Sequence, residues 1–155
     1  MKLSALLALL TGCTPKPPPK AGVADLHFPV AVLFPSASIV LFKDKVDLGV
    51  MHMNYVLDSG GASPVVIDSN FDIYTMERLR STHGGLWLMA HPSGTTEVAF
   101  DLTRSPKSGL EAARKAMRAQ LDKQTWRHEI EEKRKSLAAQ KTLVEMVDLL
   151  HDQNE

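Results

Sequence analysis

The sequence is poor in cysteine, in aromatic residues and in net charge. It contains one cysteine, two tryptophans, two tyrosines and five phenylalanines, and its 18 basic residues balance its 18 acidic ones. A single cysteine excludes an intramolecular disulfide, so the fold must depend on a hydrophobic core. Balanced charge provides neither an acidic tail nor the broad basic surface that a phosphate backbone requires, so we expect no nucleic-acid partner.

Long apolar runs are also absent after the first 12 residues. A helix that spans a bilayer needs roughly 20 predominantly apolar residues, and no later segment has them. The chain has 155 residues, of which 44% are hydrophobic and 23% are charged. A chain of this length and composition can bury one ordinary core, so we predict a single folded domain.

The amino terminus has the layout of an export signal. Residues 1–12 carry one positive charge, at Lys2, followed by a leucine-rich run that ends in small residues. The ending Leu10-Thr11-Gly12-Cys13 resembles the lipobox of bacterial lipoproteins, in which a branched apolar residue and two small residues precede an obligatory cysteine. An ordinary signal peptide, or a cytosolic chain with an apolar first helix, would not require a cysteine at that position. We therefore interpret residues 1–12 as a lipoprotein signal peptide and Cys13 as the lipidation site.

The lipobox resemblance covers the signal alone and implies what happens at Cys13. In that family the cysteine sulfur receives a diacylglycerol, the chain is cut between Gly12 and Cys13, and the new amino terminus is usually acylated. Two or more chains give stable anchoring, because each buried methylene contributes about 0.8 kcal/mol. Thr14 stands where an aspartate would tend to retain such a lipoprotein in the inner membrane. The resemblance therefore implies a membrane anchor and favours the outer membrane, facing the periplasm, over the inner one.

Residues 13–23 form a predicted stalk between the lipid and the folded part of the chain. Prolines at positions 15, 17, 18 and 19 favour an extended polyproline helix. At about 3.1 Å per residue, the stalk could hold the domain roughly 25 Å from the bilayer. We assign residues 24–150 to a single small domain and residues 151–155 to a tail.

Short apolar runs separated by turn-forming residues dominate the first half of the domain, which is typical of strands. We predict strands over residues 28–34, 38–43, 46–57 and 64–67, of which the third is apolar on both faces, like a central strand. A clear alternation predicts a half-buried antiparallel strand, with one face formed by Thr96, Val98, Phe100 and Leu102.

The segment between these strands is less regular. Asp68-Ser69-Asn70 predicts a tight turn. Residues 71–80 fit either a helix or a strand, and we favour a strand that enters a turn at His83-Gly84-Gly85. Residues 86–90 would then return antiparallel to it, and His91-Pro92-Ser93-Gly94 would turn into the next strand.

The apolar period becomes helical after Pro106. Ser108-Gly109-Leu110-Glu111 has the pattern of a capping box, and the helix behind it has one apolar face formed by Leu110, Ala113, Met117 and Leu121. A second helix is predicted from near Thr125 to near Leu150, with an apolar stripe formed by Trp126, Ile130, Leu137, Val144, Val147 and Leu150. Strands followed by helices predict an α+β fold, with an antiparallel sheet of short strands followed by two C-terminal helices.

Asp58-Ser59-Gly60-Gly61 has features of two protease signatures. A trypsin-like nucleophile needs its histidine and aspartate earlier in a double barrel, and the 45 residues from Cys13 to Leu57 cannot build one. An aspartic protease needs a strand before Asp-Ser-Gly, which the predicted strand 46–57 provides, but also a second carboxylate from a dimer. Glycine, serine and aspartate are ordinary loop residues, so we interpret this segment as a structural loop.

No metal or cofactor site is predicted. The six histidines show no pair on one helical turn, and none is paired with a second cysteine; they are His27, His52, His83, His91, His128 and His151. The two glycine pairs lack the further glycines and the lysine that would hold a phosphate.

These observations favour a membrane-anchored envelope lipoprotein with a non-enzymatic, accessory role. The expected partners are the membrane, through the lipid on Cys13, and another envelope protein. The alternative is a small periplasmic enzyme or ligand-binding domain that uses Asp58 and nearby histidines. A concave pocket around Asp58 would favour the alternative, whereas an exposed apolar patch would favour the accessory role.

Overall fold

A computed structural model describes residues 20–59, 61–84, 90, 94–124 and 127–151. The signal, Cys13 and most of the predicted stalk lie outside these ranges. The predicted return strand over residues 86–90 and the turn at residues 91–94 also lie largely outside them, as does Trp126. Within the described residues, no helix combines the length and the apolar character needed to cross a bilayer.

The described residues form an antiparallel sheet with helices packed on it, which confirms the predicted α+β class. The strand order is β1-β7-β6-β5-β2-β3, and β4 also pairs with β7. The strands are β1 (Lys20–Ala21), β2 (Val30–Leu33), β3 (Ile39–Phe42), β4 (Val50–His52), β5 (Val65–Ile67), β6 (Ile73–Ser81) and β7 (Thr95–Arg104). The helices are α1 (Lys45–Leu48), α2 (Met53–Asp58), α3 (Leu110–Leu121), α4 (Arg127–Ala139) and α5 (Leu143–His151).

Strands β6 and β7 form the longest antiparallel pair of the sheet. Their register runs from Tyr74 opposite Arg104 to Ser81 opposite Val98, with an irregularity between Glu77 and Arg80. The predicted strand over residues 71–80 is therefore confirmed. Strand β7 also pairs along its first residues with β4 and near its end with β1. Lys20 and Ala21, which the sequence assigned to the stalk, thus belong to the sheet.

The predicted long strand over residues 46–57 is wrong, because the segment folds as helix α1, strand β4 and helix α2. Asp44 explains the first helix: its carboxylate accepts hydrogen bonds from the backbone nitrogens of Val46 and Asp47, at 2.8 and 2.9 Å. This capping satisfies donors that a helix start leaves free. The ring Nδ1 of His52 accepts in the same way from the Asn54 backbone nitrogen at the start of α2.

The helix α3 begins where the sequence predicts, but the predicted capping box at Ser108 is wrong. Gly109 is the residue before the first turn, with φ of 103°, and no side chain caps the helix. That φ is readily adopted only by glycine. The Ser108 hydroxyl instead accepts from the backbone nitrogen of Ile73, at 3.2 Å.

The segment that was expected to form one second helix folds as two helices, α4 and α5, with a break near Lys141 and Thr142. A capping box starts α5: the Glu145 carboxylate accepts from the backbone nitrogen of Thr142, and the Thr142 hydroxyl accepts from that of Glu145. The break changes which residues face the core. Leu143 and Met146 are buried, whereas Val144, which was predicted in the apolar stripe, is 39% exposed.

The core lies on both faces of the sheet. One cluster joins the sheet to helices α3, α4 and α5 and includes Ala31 and Leu33 from β2. A second cluster, on the opposite face of β2, includes Val30, Val32 and Phe34. Because both faces of β2 are covered, this strand reads as a continuous apolar run instead of an alternating one.

Candidate functional site

The structure places Asp58 at the end of helix α2, where it is exposed. An aspartic protease would need a strand immediately before this carboxylate, but the residues before Asp58 form helix α2. The next residue, Ser59, has an ordinary structural role, because its hydroxyl donates to the carbonyl of Tyr55 at 2.8 Å. Gly60 lies outside the described residues. Nothing in the described surroundings of Asp58 builds a catalytic carboxylate pair.

The histidines are dispersed over the described residues. His52 caps α2, and the ring Nδ1 of His83 lies 3.1 Å from the hydroxyl of Thr96. His91 and the side chains of His128 and His151 lie outside the description. No group of three histidine, cysteine, aspartate or glutamate side chains is placed to hold a metal in the part of the chain that the structure describes.

His27 lies opposite a charged partner, Asp68. Asp68 is fully buried, whereas the His27 side chain is 59% exposed. The ring Nδ1 of His27 lies 3.3 Å from Oδ2 of Asp68, and the same oxygen accepts from the His27 backbone nitrogen at 3.2 Å. Because a carboxylate only accepts hydrogen bonds, we infer that Nδ1 carries the proton and that Nε2 is left for other partners.

The other carboxylate oxygen of Asp68 fixes the predicted turn. Oδ1 accepts from the backbone nitrogens of Asn70 and Asp72, at 3.0 and 2.9 Å. The hydroxyl of Ser69 donates to the carbonyl of His27 at 3.0 Å. The turn at residues 68–70 is therefore confirmed, and it ties the segment before β2 to the segment before β6. Asp68 thus has a structural role whether or not His27 has a chemical one.

Next to His27 is an open depression that we call the β1–β7 cleft. Its volume is about 500 Å³, and its polar lining consists of Lys20, Asp25, His27, Asp72, Tyr74 and Arg104. Arg104 ends strand β7 and donates to Asp72 at 2.6 Å. This hydrogen bond raises the pKa of the guanidinium, which therefore stays charged.

Tyr74 connects this cleft to the core. The residue is only 2% exposed and packs in the core cluster that contains Val30 and Phe34. Burial first, and then the charges of Asp68 and Asp72, raise the pKa of its hydroxyl. The hydroxyl therefore remains protonated at neutral pH and can donate a hydrogen bond. None of the described residues is hydrogen-bonded to it.

A second surface feature lies on α1, β4 and α2. Four large apolar side chains are exposed among the described residues, and three of them fall here: Val46, Val50 and Leu57, at 72%, 41% and 65% exposure. We call them the 46–57 surface. Helices α1 and α2 both contact β4, so the three residues belong to neighbouring elements.

Sequence reasoning missed both features for the same reason. The turn at Asp68 is visible locally, but His27 is 41 residues away and no local pattern links the two. The exposed valines and leucine were assigned to a buried strand because the local pattern is apolar. Comparison with protein-family models, with curated proteins and with solved structures finds no match to the chain.

Proposed function

We propose that this chain is a lipid-anchored envelope protein whose α+β domain binds another envelope protein through the 46–57 surface. The observation that carries the proposal is the exposure of Val46 and Leu57, at 72% and 65%. Single exposed apolar residues are common, whereas contiguous exposed apolar patches mark interaction sites, and the elements that carry these three residues pack against one another. The lipobox-like sequence at Cys13 supports anchoring, which would hold this surface among other envelope proteins.

The charges around the 46–57 surface favour a protein partner over the lipid bilayer. Residues 43–58 contain three aspartates and two lysines, which gives a net charge of −1 with histidine neutral. Asp44, Asp47 and Asp58 are exposed, as are Lys43 and Lys45, so the exposed charge of the segment is negative by one. Carboxylates are repelled by anionic lipid headgroups, which attract basic segments instead.

A photo-crosslinking amino acid in place of Leu57 tests the partner. We expect a covalent adduct with one envelope protein in living cells, identified by mass spectrometry, and a lower yield when Val46→Lys is added. Val144 is the matched control position, because it is an exposed apolar residue on helix α5. Absence of a protein adduct at Leu57, the same adducts from both positions, or adducts with phospholipid alone would contradict the proposal.

Anchoring is tested separately at Cys13. Cells that express the protein are labelled with a palmitate analogue, and wild type is compared with Cys13→Ala. We expect label on the wild-type protein only, because the sulfur and the new amino terminus of Cys13 are the acylated groups in lipoproteins. Equal labelling of the two proteins would refute the anchor and leave the partner test unaffected.

The alternative, a small periplasmic enzyme or ligand-binding domain that uses Asp58 and nearby histidines, has little support from the described contacts. Asp58 is exposed, and its carboxylate is bonded to no histidine among the residues that the structure describes. The β1–β7 cleft contains a histidine, His27, but Asp58 is not part of its lining.

A further inference from the structure

The β1–β7 cleft contains more hydrogen-bond donors than its own acceptors use. Each carboxylate on its wall or beneath it already has a donor within the protein. Asp25 accepts from the backbone nitrogen of Gly22 at 2.7 Å, and Asp72 accepts from Arg104 at 2.6 Å. Asp68, which contacts His27, accepts from three backbone nitrogens and from the His27 ring.

The donors of the cleft, in contrast, are incompletely used. The hydroxyl of Tyr74 and the ammonium of Lys20 have no partner among the described residues. Arg104 presents five N–H donors, and among the described residues Asp72 is their acceptor. Tyr74 is 2% exposed as a residue, but its hydroxyl is not among the buried, unpartnered atoms of the described residues, so it meets solvent at the cleft. A ligand that supplies an acceptor would replace this solvent.

The spare donors come from different elements and surround the cleft. Lys20 is on β1, Tyr74 is on β6, and Arg104 is at the end of β7. A planar carboxylate offers acceptors in one plane, whereas a tetrahedral oxyanion offers them on all sides. A volume of about 500 Å³ accommodates a small molecule or a headgroup. Lys20 and Arg104 are the two cations of the lining that can pair with a phosphate ester, beside the carboxylates of Asp25 and Asp72.

We propose that the β1–β7 cleft binds a phosphate ester, with Tyr74, Lys20 and Arg104 as the donors to its oxygens. Asp72 orients the Arg104 guanidinium for this role, and Asp68 positions the segment that carries His27. The ligand could be a soluble phosphate ester or a lipid headgroup, since both present the same group. The proposal stands on the described residues and does not depend on the lipid anchor or on the 46–57 surface.

Binding is tested with the full chain in a neutral detergent, titrated with sn-glycerol 3-phosphate by calorimetry. Tyr74→Phe removes one hydroxyl and keeps the ring in the core. We expect the dissociation constant to rise about tenfold, as for loss of one hydrogen bond to a charged group. Tyr55→Phe is the matched control, because Tyr55 stacks on Phe34 at 4.5 Å and does not line the cleft. Acetate should bind more weakly than the phosphate ester.

A second variant keeps the proposal testable if Tyr74→Phe does not fold. Lys20→Gln should weaken binding several-fold, and more at low than at high salt, whereas Lys43→Gln, another exposed lysine, should not. Unchanged affinity in folded Tyr74→Phe and Lys20→Gln would overturn the proposal. So would the absence of glycerol 3-phosphate binding to wild type both in detergent and in the nanodiscs without phosphatidylglycerol.

Nanodiscs distinguish the two sources of phosphate. The titration is repeated with the protein in discs with and without phosphatidylglycerol. If phosphatidylglycerol occupies the cleft, it competes with glycerol 3-phosphate, and wild type binds glycerol 3-phosphate more weakly in the discs that contain this lipid. Such a difference between the two discs, absent in Tyr74→Phe, would identify a lipid headgroup as the occupant. Equal binding in both discs would identify a soluble phosphate ester. Either result supports a phosphate site at Tyr74.

Discussion

At the scale of single residues, Asp68 is the most constrained polar group of the described chain. It is fully buried, and its two carboxylate oxygens accept from three backbone nitrogens and one imidazole. A buried carboxylate is tolerated only when it is hydrogen-bonded in this way. The sequence predicts the turn, because aspartate, serine and asparagine favour turns locally. It cannot predict His27 as the partner, because that contact depends on how distant segments meet.

Asp68→Asn should therefore lower the free energy of unfolding by about 2–3 kcal/mol, since one of its oxygens becomes an amide that cannot accept. The measurement is equilibrium unfolding in urea, with far-ultraviolet circular dichroism. Asp58→Asn is the matched control and should change stability by less than about 0.5 kcal/mol, because Asp58 is exposed. The Asp58→Asn protein should also complement a deletion strain as well as the wild-type protein does, if the deletion has a phenotype. Equal stability of the two variants would contradict the structural role of Asp68.

At the scale of secondary-structure elements, the chain has two sites with the Ser/Thr-x-x-Glu pattern, and only one forms a capping box. At Thr142 and Glu145 both reciprocal hydrogen bonds are present. At Ser108 the hydroxyl is used by the backbone of Ile73, and Gly109 takes the position before the helix. The local pattern is the same, so tertiary contacts decide between them. The same limit explains why the apolar run from 46 to 57 predicted a strand where Asp44 starts a helix.

The Glu145 capping box predicts a dependence of stability on pH. Backbone hydrogen bonds from Lys141 and Thr142 lower the pKa of Glu145 in the folded protein. The charged form therefore stabilises the fold at neutral pH, and this stabilisation is lost as the pH falls below the ordinary glutamate value of about 4.3. Glu145→Gln should be less stable than wild type at neutral pH, and the difference should disappear in acid.

Glu111→Gln is the control for this pH dependence. Glu111 is also exposed in the first turn of a helix, but its partner is the side chain of Arg114, three residues later. The Glu111 side chain is 78% exposed, and Arg114, which is only 14% exposed, keeps the carbonyl of Gln140 as a second acceptor, so loss of the Glu111 charge should cost little. Thermal unfolding of the two variants and wild type across the acidic range gives the comparison. If the difference in stability between wild type and Glu145→Gln stays constant with pH, the charge of the capping carboxylate is not its cause.

At the scale of the whole molecule, the helical layer and the sheet are joined mainly by apolar contacts, which the helical and strand periods predicted in outline. Ala113, Met117 and Leu121 of α3 are buried against the sheet as expected. The polar link between the layers was not predicted. Gln120 is 3% exposed, and its amide donates to the carbonyls of Phe34 and Ser38, at 2.6 and 3.1 Å. Helix α3 thereby holds the turn between β2 and β3.

Gln120→Glu tests this link, because it replaces the donating amide with a carboxylate that faces two carbonyl oxygens. We expect a loss of about 2–4 kcal/mol in the free energy of unfolding at neutral pH, and less in acid, where a protonated glutamate regains a donor. Gln124→Glu, just after the same helix, makes the same change at a side chain that has no hydrogen bond to the described residues, and should alter stability by less than about 0.5 kcal/mol. Similar losses in the two variants, or a Gln120→Glu loss that does not shrink in acid, would show that the amide does not join the layers.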